Sequence, residues 1–245
     1  MSVERAQSFG AIADLYDHYR PSPPPEAKNL LGDLDGLKIL EVAAGTGIWS
    51  RFLLEQGADL TIVEPDEKMR AVLERRSPQV HALVGTAESL PVADASFDVV
   101  VVSSAWHWFR QPDATDEMAR VLSDGGRLFV LWNGFARSLE WVNELSKLRD
   151  GKKDPSVRPR SWTAPELFEG SFVEVTDVSI DWTWRRTTYE VVKLFGTYSG
   201  VSTRTETERA EIGSTLRELL AQVTVDDVVD IPMTLRGTVA TRSVR

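Results

Sequence analysis

The sequence predicts an α/β fold, a doubly wound sheet of mostly parallel strands, and three features carry that prediction. Short apolar runs recur at Ile39–Val42, Leu60–Val63, Val99–Val102 and Leu128–Trp132, each the length of a strand covered on both faces. Segments with apolar residues at helical spacing separate them. The first run ends in a glycine turn, Gly45-Thr46-Gly47, that leads straight into one of those helical segments.

Lys38 to Ala43 reads as the first buried strand, followed by the turn and a helix ending near Gln56 at Gly57. The second strand, Leu60-Thr61-Ile62-Val63, ends in Glu64, and Asp66 is a good N-cap for a helix running to Arg76, where Ser77-Pro78 stops it. A short third strand is expected at His81–Val84, then the polar stretch Gly85-Thr86-Ala87-Glu88-Ser89-Leu90-Pro91. Asp94–Asp98 turns into the fourth strand, Val99–Ser103, whose four consecutive valines mark a central parallel strand. Pro112 and Asp113 open the next helix, and Asp124-Gly125-Gly126 is expected to turn the chain into a fifth strand, Arg127–Trp132.

The glycine turn and the acid roughly twenty residues behind it are the parts of a ribose-binding nucleotide site. A dinucleotide site wants G-x-G-x-x-G, but the three positions hold Ala43, Gly45 and Ile48, and the β-branched third residue disfavours a nicotinamide-dependent reductase. No phosphate-binding G-x-x-x-x-G-K-S/T occurs here. A turn without a pyrophosphate cradle that keeps its ribose acid resembles motif I of the class I S-adenosylmethionine-dependent methyltransferases, with Ala43 where that family usually has glycine.

The resemblance implies a Rossmann-like, doubly wound, mixed seven-stranded sheet with an antiparallel last strand and a helical lid. It places Ala43, Gly45, Thr46 and Gly47 against the methionine part of S-adenosyl-L-methionine and gives Glu64 the ribose hydroxyls. Pro65, Met69, Thr86, Ala87 and Ser103 complete the cofactor side, Met69 on the adenine ring and Thr86 and Ala87 at its edge. For Met69, ordinary helix–sheet packing is the competing reading, and Glu88 reads as a solvated charge. The segment Tyr16-Asp17-His18-Tyr19-Arg20-Pro21 resembles the N-terminal stretch of small-molecule methyltransferases that folds over the cofactor, which makes Tyr16 and Arg20 candidates too. Glu117–Leu122 followed by Gly125–Leu128 resembles a structural signature of the family.

Beyond the fourth strand stands Ser104-Ala105-Trp106-His107-Trp108-Phe109, at the end where ligands bind in open α/β sheets. His107 is the candidate general base, because the ordinary histidine range suits proton removal near neutrality. Trp106 and Trp108 flank it as core residues or as an aromatic wall for a sulfonium and its acceptor.

Phe9, Ile12, Leu15, Tyr16 and Tyr19 fall at helical spacing, so a short helix is expected to end at Arg20 before the PSPPP run, with a second helix at Glu26–Leu31. After Asn133-Gly134 a helix is expected over 135–150, a polar loop over Gly151–Ser161, and a capping box at Thr163–Glu166. A strand from Phe172 to Trp184, helices at about 188–198 and 206–223, and a closing antiparallel edge strand, Val228–Arg242, complete the chain. We expect one domain: cap helices in 1–31, a cofactor-binding core in 32–133, lid or substrate regions in 134–162 and 186–226, and the last helix and strands of the core in 163–185 and 227–245. Trp141, Phe195 and Tyr198 are candidates for the lid's inner face, with plain helix packing as the competing reading.

Composition narrows the function. The 245 residues hold 42% hydrophobic side chains and no apolar run near the ~20 residues of a membrane span. A net charge of −9 argues against a nucleic-acid partner, the only basic cluster being Lys152-Lys153 with Arg158 and Arg160. The absence of cysteine excludes disulfides, thiolate nucleophiles and zinc–sulfur sites. No compact set of carboxylates suited to a metal is evident, so none is expected. The segment MSVERAQSFG has no apolar stretch, so no secretory signal is expected and the cytoplasm is the expected compartment. The expected activity is methyl transfer from S-adenosyl-L-methionine to a small-molecule acceptor at oxygen, nitrogen or carbon. The alternatives are a protein of the same fold that binds the cofactor without transferring methyl or uses it to steer another reaction such as a cyclisation, and a reductase.

Overall fold

The computed structural model describes residues 12–150 and 168–244. The expectations resting on Phe9, on the Gly151–Ser161 loop with its basic cluster, and on the Thr163–Glu166 capping box lie outside those residues. The elements, in order, are α1 (Ala13–Tyr19), α2 (Ala27–Leu31), β1 (Lys38–Val42), α3 (Ile48–Glu55), β2 (Asp59–Val63), α4 (Glu67–Arg76), β3 (Ala82–Leu83), β4 (Phe97–Ser103), a 3-10 turn (Trp106–Trp108), α5 (Asp113–Val121), β5 (Leu122–Phe135), α6 (Glu140–Asp150), β6 (Phe172–Thr187), α7 (Thr188–Gly196), α8 (Ser199–Ser202), α9 (Glu206–Ala221) and β7 (Val228–Arg242).

The strands form one mixed seven-stranded sheet in the order β3-β2-β1-β4-β5-β7-β6. β1 pairs in parallel with β2 and β4, β2 with β3, and β4 with β5. β7 runs the other way. Asp230 meets Arg185, Thr234 meets Asp181, Thr238 meets Asp177 and Thr241 meets Glu174, so residue numbers fall along one strand as they rise along the other.

Two expectations about the sheet need correction. β7 is not an edge strand, because β6 lies outside it. Pro232 is tolerated there because it lies just beyond the end of β5: its carbonyl accepts from Ala136 N at 2.9 Å, and its missing donor faces the point where the neighbouring strand has stopped. The pair Gly125-Gly126 makes no turn before a strand. β5 begins at Leu122 opposite Phe97, and the step from Phe97 to Val99 is matched by the longer step from Leu122 to Arg127. The extra residues bulge out, with Gly125 at φ +77°.

The chain divides into two compact units. The larger comprises residues 22–133, the described residues 168–180, and 235–244. Its sheet is buried on both faces by period-two alternation. Leu40, Val42, Val100, Val102, Leu128 and Val130 pack on α5 through Ala114, Met118 and Val121. Ile39, Val99, Val101, Phe129 and Leu131 pack on α2 and α3 through Leu31, Trp49 and Leu53. The smaller unit comprises the described residues 12–21 and 134–150, with 181–234. Val142, Leu145, Val191, Leu194, Phe195, Leu216 and Leu220 of its helices bury against Val229, Ile231 and Met233. Reciprocal capping boxes start α7 at Thr187/Glu190 and α9 at Thr205/Glu208. Among the described residues no helix is long and apolar enough to cross a membrane.

Candidate active site

Register builds the site. Val42 of β1 stands opposite Val63 of β2, so Ala43 and Glu64 leave the sheet side by side at its carboxyl edge, and Ala43 N donates to Val63 O at 2.8 Å. The chain then bends through Ala43, Gly45 and Gly47 at φ +56°, +61° and +79° before α3 begins. Alanine's size is no obstacle at position 43, but its left-handed backbone is, at a cost of roughly 1–2 kcal/mol for a residue with a Cβ. Glycine carries a larger unfolded-state entropy, which offsets part of that gain. Ala43→Gly is therefore expected to raise the thermal midpoint by about 1–3 °C, as read by circular dichroism. A lowered midpoint would show that the Ala43 methyl contributes more through packing than the backbone costs.

Glu64 ties the bend to β2. Its Oε2 accepts from Gly45 N at 2.7 Å and its Oε1 from Asp66 N at 2.8 Å. The carboxylate is 5% exposed, and burial raises its pKa against the lowering effect of those two backbone bonds. Arg70 clamps the following backbone, its Nη1 donating to both Glu64 O and Pro65 O at 2.7 Å. Asp66 caps α4 by accepting from Lys68 N and Met69 N, which buries Met69 in the helix's first turn.

A second acid lies under the bend. Glu41 of β1 is 1% exposed and accepts from Ser50 Oγ at 2.5 Å. Burial pushes its pKa up to about 8, the Ser50 bond opposing and the Glu64 charge adding to the rise. It is therefore mostly neutral at pH 7 and joins the start of α3 to β1.

S-adenosylmethionine offers a vicinal diol, an amino-acid tail and an adenine ring, and the residues here fit it. A Cβ placed on Gly45 would meet nothing within 4 Å, so the bend is open along one side. A Cβ on Gly47 would strike Leu73 Cγ at 2.8 Å, so the other side is packed. Among the described residues the buried Thr46 hydroxyl has no hydrogen-bond partner. Each Glu64 oxygen has used one lone pair on backbone and keeps another for a hydroxyl.

Thr86 and Ala87 lie on the next loop, Thr86 exposed and Ala87 buried. Arg120 of α5 fixes this loop. It donates to Leu90 O, Val92 O, Asp94 and Glu117, while Glu117 accepts from Leu90 N at 2.9 Å. The Arg120 bond holds the Glu117 carboxyl below its ordinary range. Arg120→Met is expected to cost about 2 kcal/mol in urea denaturation by leaving a half-buried acid and two carbonyls without their donor. An unchanged midpoint would mean that water replaces the guanidinium at no cost. The Glu88 carboxylate accepts from Arg110 N at 2.7 Å in an exposed bond and so joins this loop to the aromatic one.

On that aromatic loop Ser103 closes β4, and Ser104, at φ +57°, directs the chain into the 3-10 turn. Trp106 is core, 2% exposed and stacked on Phe168 at 5.8 Å. Trp108 is half-buried, its ring 4.8 Å from that of His107. Trp132 Nε1 donates to His107 Nδ1 at 3.5 Å. Burial lowers the His107 pKa to about 4, so the ring is neutral near pH 7 and a weaker base than an exposed imidazole.

Tyr16, Arg20, Trp141 and Tyr198 belong to the smaller unit. Arg20 lies 4.6 Å from the Tyr16 ring centre and 4.0 Å from that of Tyr198, and bonds to Thr197 Oγ1 and O. Arg20 is half-buried. Trp141 and Tyr198 are half-buried against that unit's core. Among the described residues no three His, Asp or Glu side chains are grouped to hold a metal ion.

Sequence reasoning passed over Glu41, Arg70, Arg120 and Trp132. A lone acid within the apolar string of β1 was the available signal for Glu41. The others act through backbone carbonyls or a distant ring, which spacing does not reveal.

The chain is similar to several known proteins. A family described as a methyltransferase domain matches residues 40–130. An uncharacterised methyltransferase of Mycobacterium tuberculosis is 39% identical over 216 residues, 87% of this chain and 86% of that protein. A demethylmenaquinone methyltransferase of Renibacterium salmoninarum is 38% identical over 101 residues, 41% of this chain and 43% of that protein. Among solved structures, a phosphoethanolamine N-methyltransferase of Haemonchus contortus, in complex with S-adenosylhomocysteine, shares the fold at TM-score 0.57 and 16% identity, covering 99% of this chain and 59% of that one.

Proposed function

The chain belongs to the S-adenosylmethionine-dependent methyltransferases, and from that membership we propose that its acceptor is a small molecule rather than a nucleic acid, methylated in the cytoplasm. The observation that carries the reading of the site is the buried Glu64 carboxylate, joined to Gly45 and Asp66 through backbone bonds at the edge of an open bend. The net charge of −9 supports an acceptor other than nucleic acid.

The cofactor supplies a methyl group on a sulfonium, with a thioether as an excellent leaving group. In our reading Glu64 holds the ribose hydroxyls, Ala43, Gly45 and Gly47 lie against the methionine portion, and the Thr46 hydroxyl finds its partner there. Pro65 and Met69 flank the adenine, Thr86 and the Ala87 N–H meet its edge, and Ser103 closes the site from β4. Tyr16 and Arg20 are assigned to the segment that covers the cofactor. Trp141 and Tyr198 of the smaller unit, and His107 and Trp108 of the larger, are assigned to the acceptor. Trp106 supports the larger unit's pair from within. The chain's contribution is alignment of acceptor and methyl carbon, worth roughly 7–11 kcal/mol when reactants are held in line.

The test is transfer of isotopic methyl from labelled S-adenosylmethionine into a panel of small organic acids, phenols and amines, with transfer RNA as a competing acceptor. Label in a small molecule supports the proposal. Label found only in RNA would overturn it.

A further inference from the structure

Arg20 is fixed within the smaller unit more firmly than the end of a cap helix requires. Its guanidinium lies 4.6 Å from the Tyr16 ring centre and 4.0 Å from that of Tyr198. Along one edge Nε donates to Thr197 Oγ1 at 2.9 Å and Nη2 to Thr197 O at 3.0 Å. Thr197 is itself buried and its hydroxyl donates to Leu194 O at 2.6 Å, so the tether is stiff. A guanidinium carries five N–H groups, and these bonds use two of them. Among the described residues the Nη1–Nη2 end meets no acceptor, and no carboxylate pairs with Arg20. Drawing a cation partly out of water without a counter-charge costs stability. Arg149 adds a second positive group, 5.4 Å from the same Tyr198 ring centre and 5.5 Å from that of Phe135. Acids outnumber bases 37 to 28 in this chain, so two guanidinium groups about one ring concentrate positive potential where the overall charge would not place it. All five residues, Tyr16, Arg20, Phe135, Arg149 and Tyr198, belong to the smaller unit.

We propose that Arg20 binds the carboxylate of a small organic acid, and that this acid is the methyl acceptor. The binding of the acid stands on the smaller unit alone, while its role as acceptor rests on the methyl-transfer reading. A guanidinium held flat by two rings presents parallel N–H bonds that match the two oxygens of a carboxylate. Because the side chain is already ordered, little rotamer freedom is lost on binding. The surrounding rings suit an acid with an apolar or aromatic body. Arg20 neither gives nor takes a proton. The acceptor's lone pair forms the bond to the methyl carbon, the C–S pair stays on sulfur, and a proton on the attacking atom, where there is one, passes to water.

The test uses the full chain labelled with nitrogen-15 arginine at pH 7 and constant ionic strength, with the Arg20 Nε–H signal identified by its loss in both Arg20→Lys and Arg20→Gln. Benzoate and succinate should each shift that signal saturably, and neutral benzamide should not. Indifference to both acids, or tighter binding of inorganic phosphate than of either, would overturn the proposal. Arg20→Lys keeps the charge and loses the fork, so in calorimetry it should bind the acids about 10- to 100-fold more weakly. An affinity within threefold of the parent, with the fold retained in circular dichroism, would also overturn it. The cofactor's amino-acid tail bears a carboxylate too, and methylthioadenosine is the same nucleoside without that tail. The ratio of S-adenosylhomocysteine to methylthioadenosine affinity should be equal in parent and Arg20→Lys. A selective loss of S-adenosylhomocysteine would give Arg20 to the cofactor and overturn the proposal, as would label from S-adenosylmethionine entering only acceptors that lack a carboxylate. Failure of S-adenosylhomocysteine to bind while the acids still shift Arg20 would strike the methyl-transfer reading and leave the acid site standing.

Discussion

Replacing Glu64 by glutamine is expected to weaken S-adenosylhomocysteine binding by about 100-fold, close to 3 kcal/mol, because hydrogen bonds to a charged acceptor contribute about 1.5–3 kcal/mol each. The carboxylate receives Gly45 N–H on one oxygen and Asp66 N–H on the other. Glutamine keeps one acceptor oxygen and turns an NH2 against one of those two donors, so a bond to the ribose is lost and the bend is pushed away from it. The loss should appear in equilibrium dialysis with labelled S-adenosylhomocysteine, with circular dichroism showing that the fold is retained. An affinity within threefold of the parent would mean that Glu64 serves only to shape the bend.

Glu41→Gln should alter stability in a way that depends on pH. Glu41 is raised from an ordinary carboxyl value to about 8, chiefly by burial. Below pH ~4.5 the folded and unfolded chains both hold its proton, and nothing is lost. As pH rises toward 8 the unfolded chain gives the proton up first, so the folded state loses stability, by up to an amount on the order of 5 kcal/mol once pH passes the folded value. Glutamine still accepts from Ser50 and has no proton to lose, so this part of the pH dependence should vanish. Urea midpoints of the two proteins should lie close at pH 5 and diverge by pH 9 in favour of the variant. Parallel curves would show that Glu41 is ionised in the folded protein.

The sequence carried the core of the fold in its strongest patterns. The valines of β4, the bend after β1 and the acid after β2 each reflect one local rule, and the structure places them at one sheet edge. Interior details were harder to read because they depend on partners distant in the chain. The position of β7 inside the sheet rests on pairing with β6 as well as β5, and proline alone suggested an edge. The capping boxes at Thr187 and Thr205 were readable in principle but lay in segments read only for helical spacing. The state of His107 could not be read from its sequence position, since burial and an indole twenty-five residues away determine it.

Calorimetric titration of the unmodified protein with S-adenosylhomocysteine and, separately, with NADH tests the central claim most directly: that a buried acid and an open peptide bend receive this cofactor. The account predicts saturable binding of S-adenosylhomocysteine at one site per chain and no heat from NADH. Saturable NADH binding with no response to S-adenosylhomocysteine would contradict it.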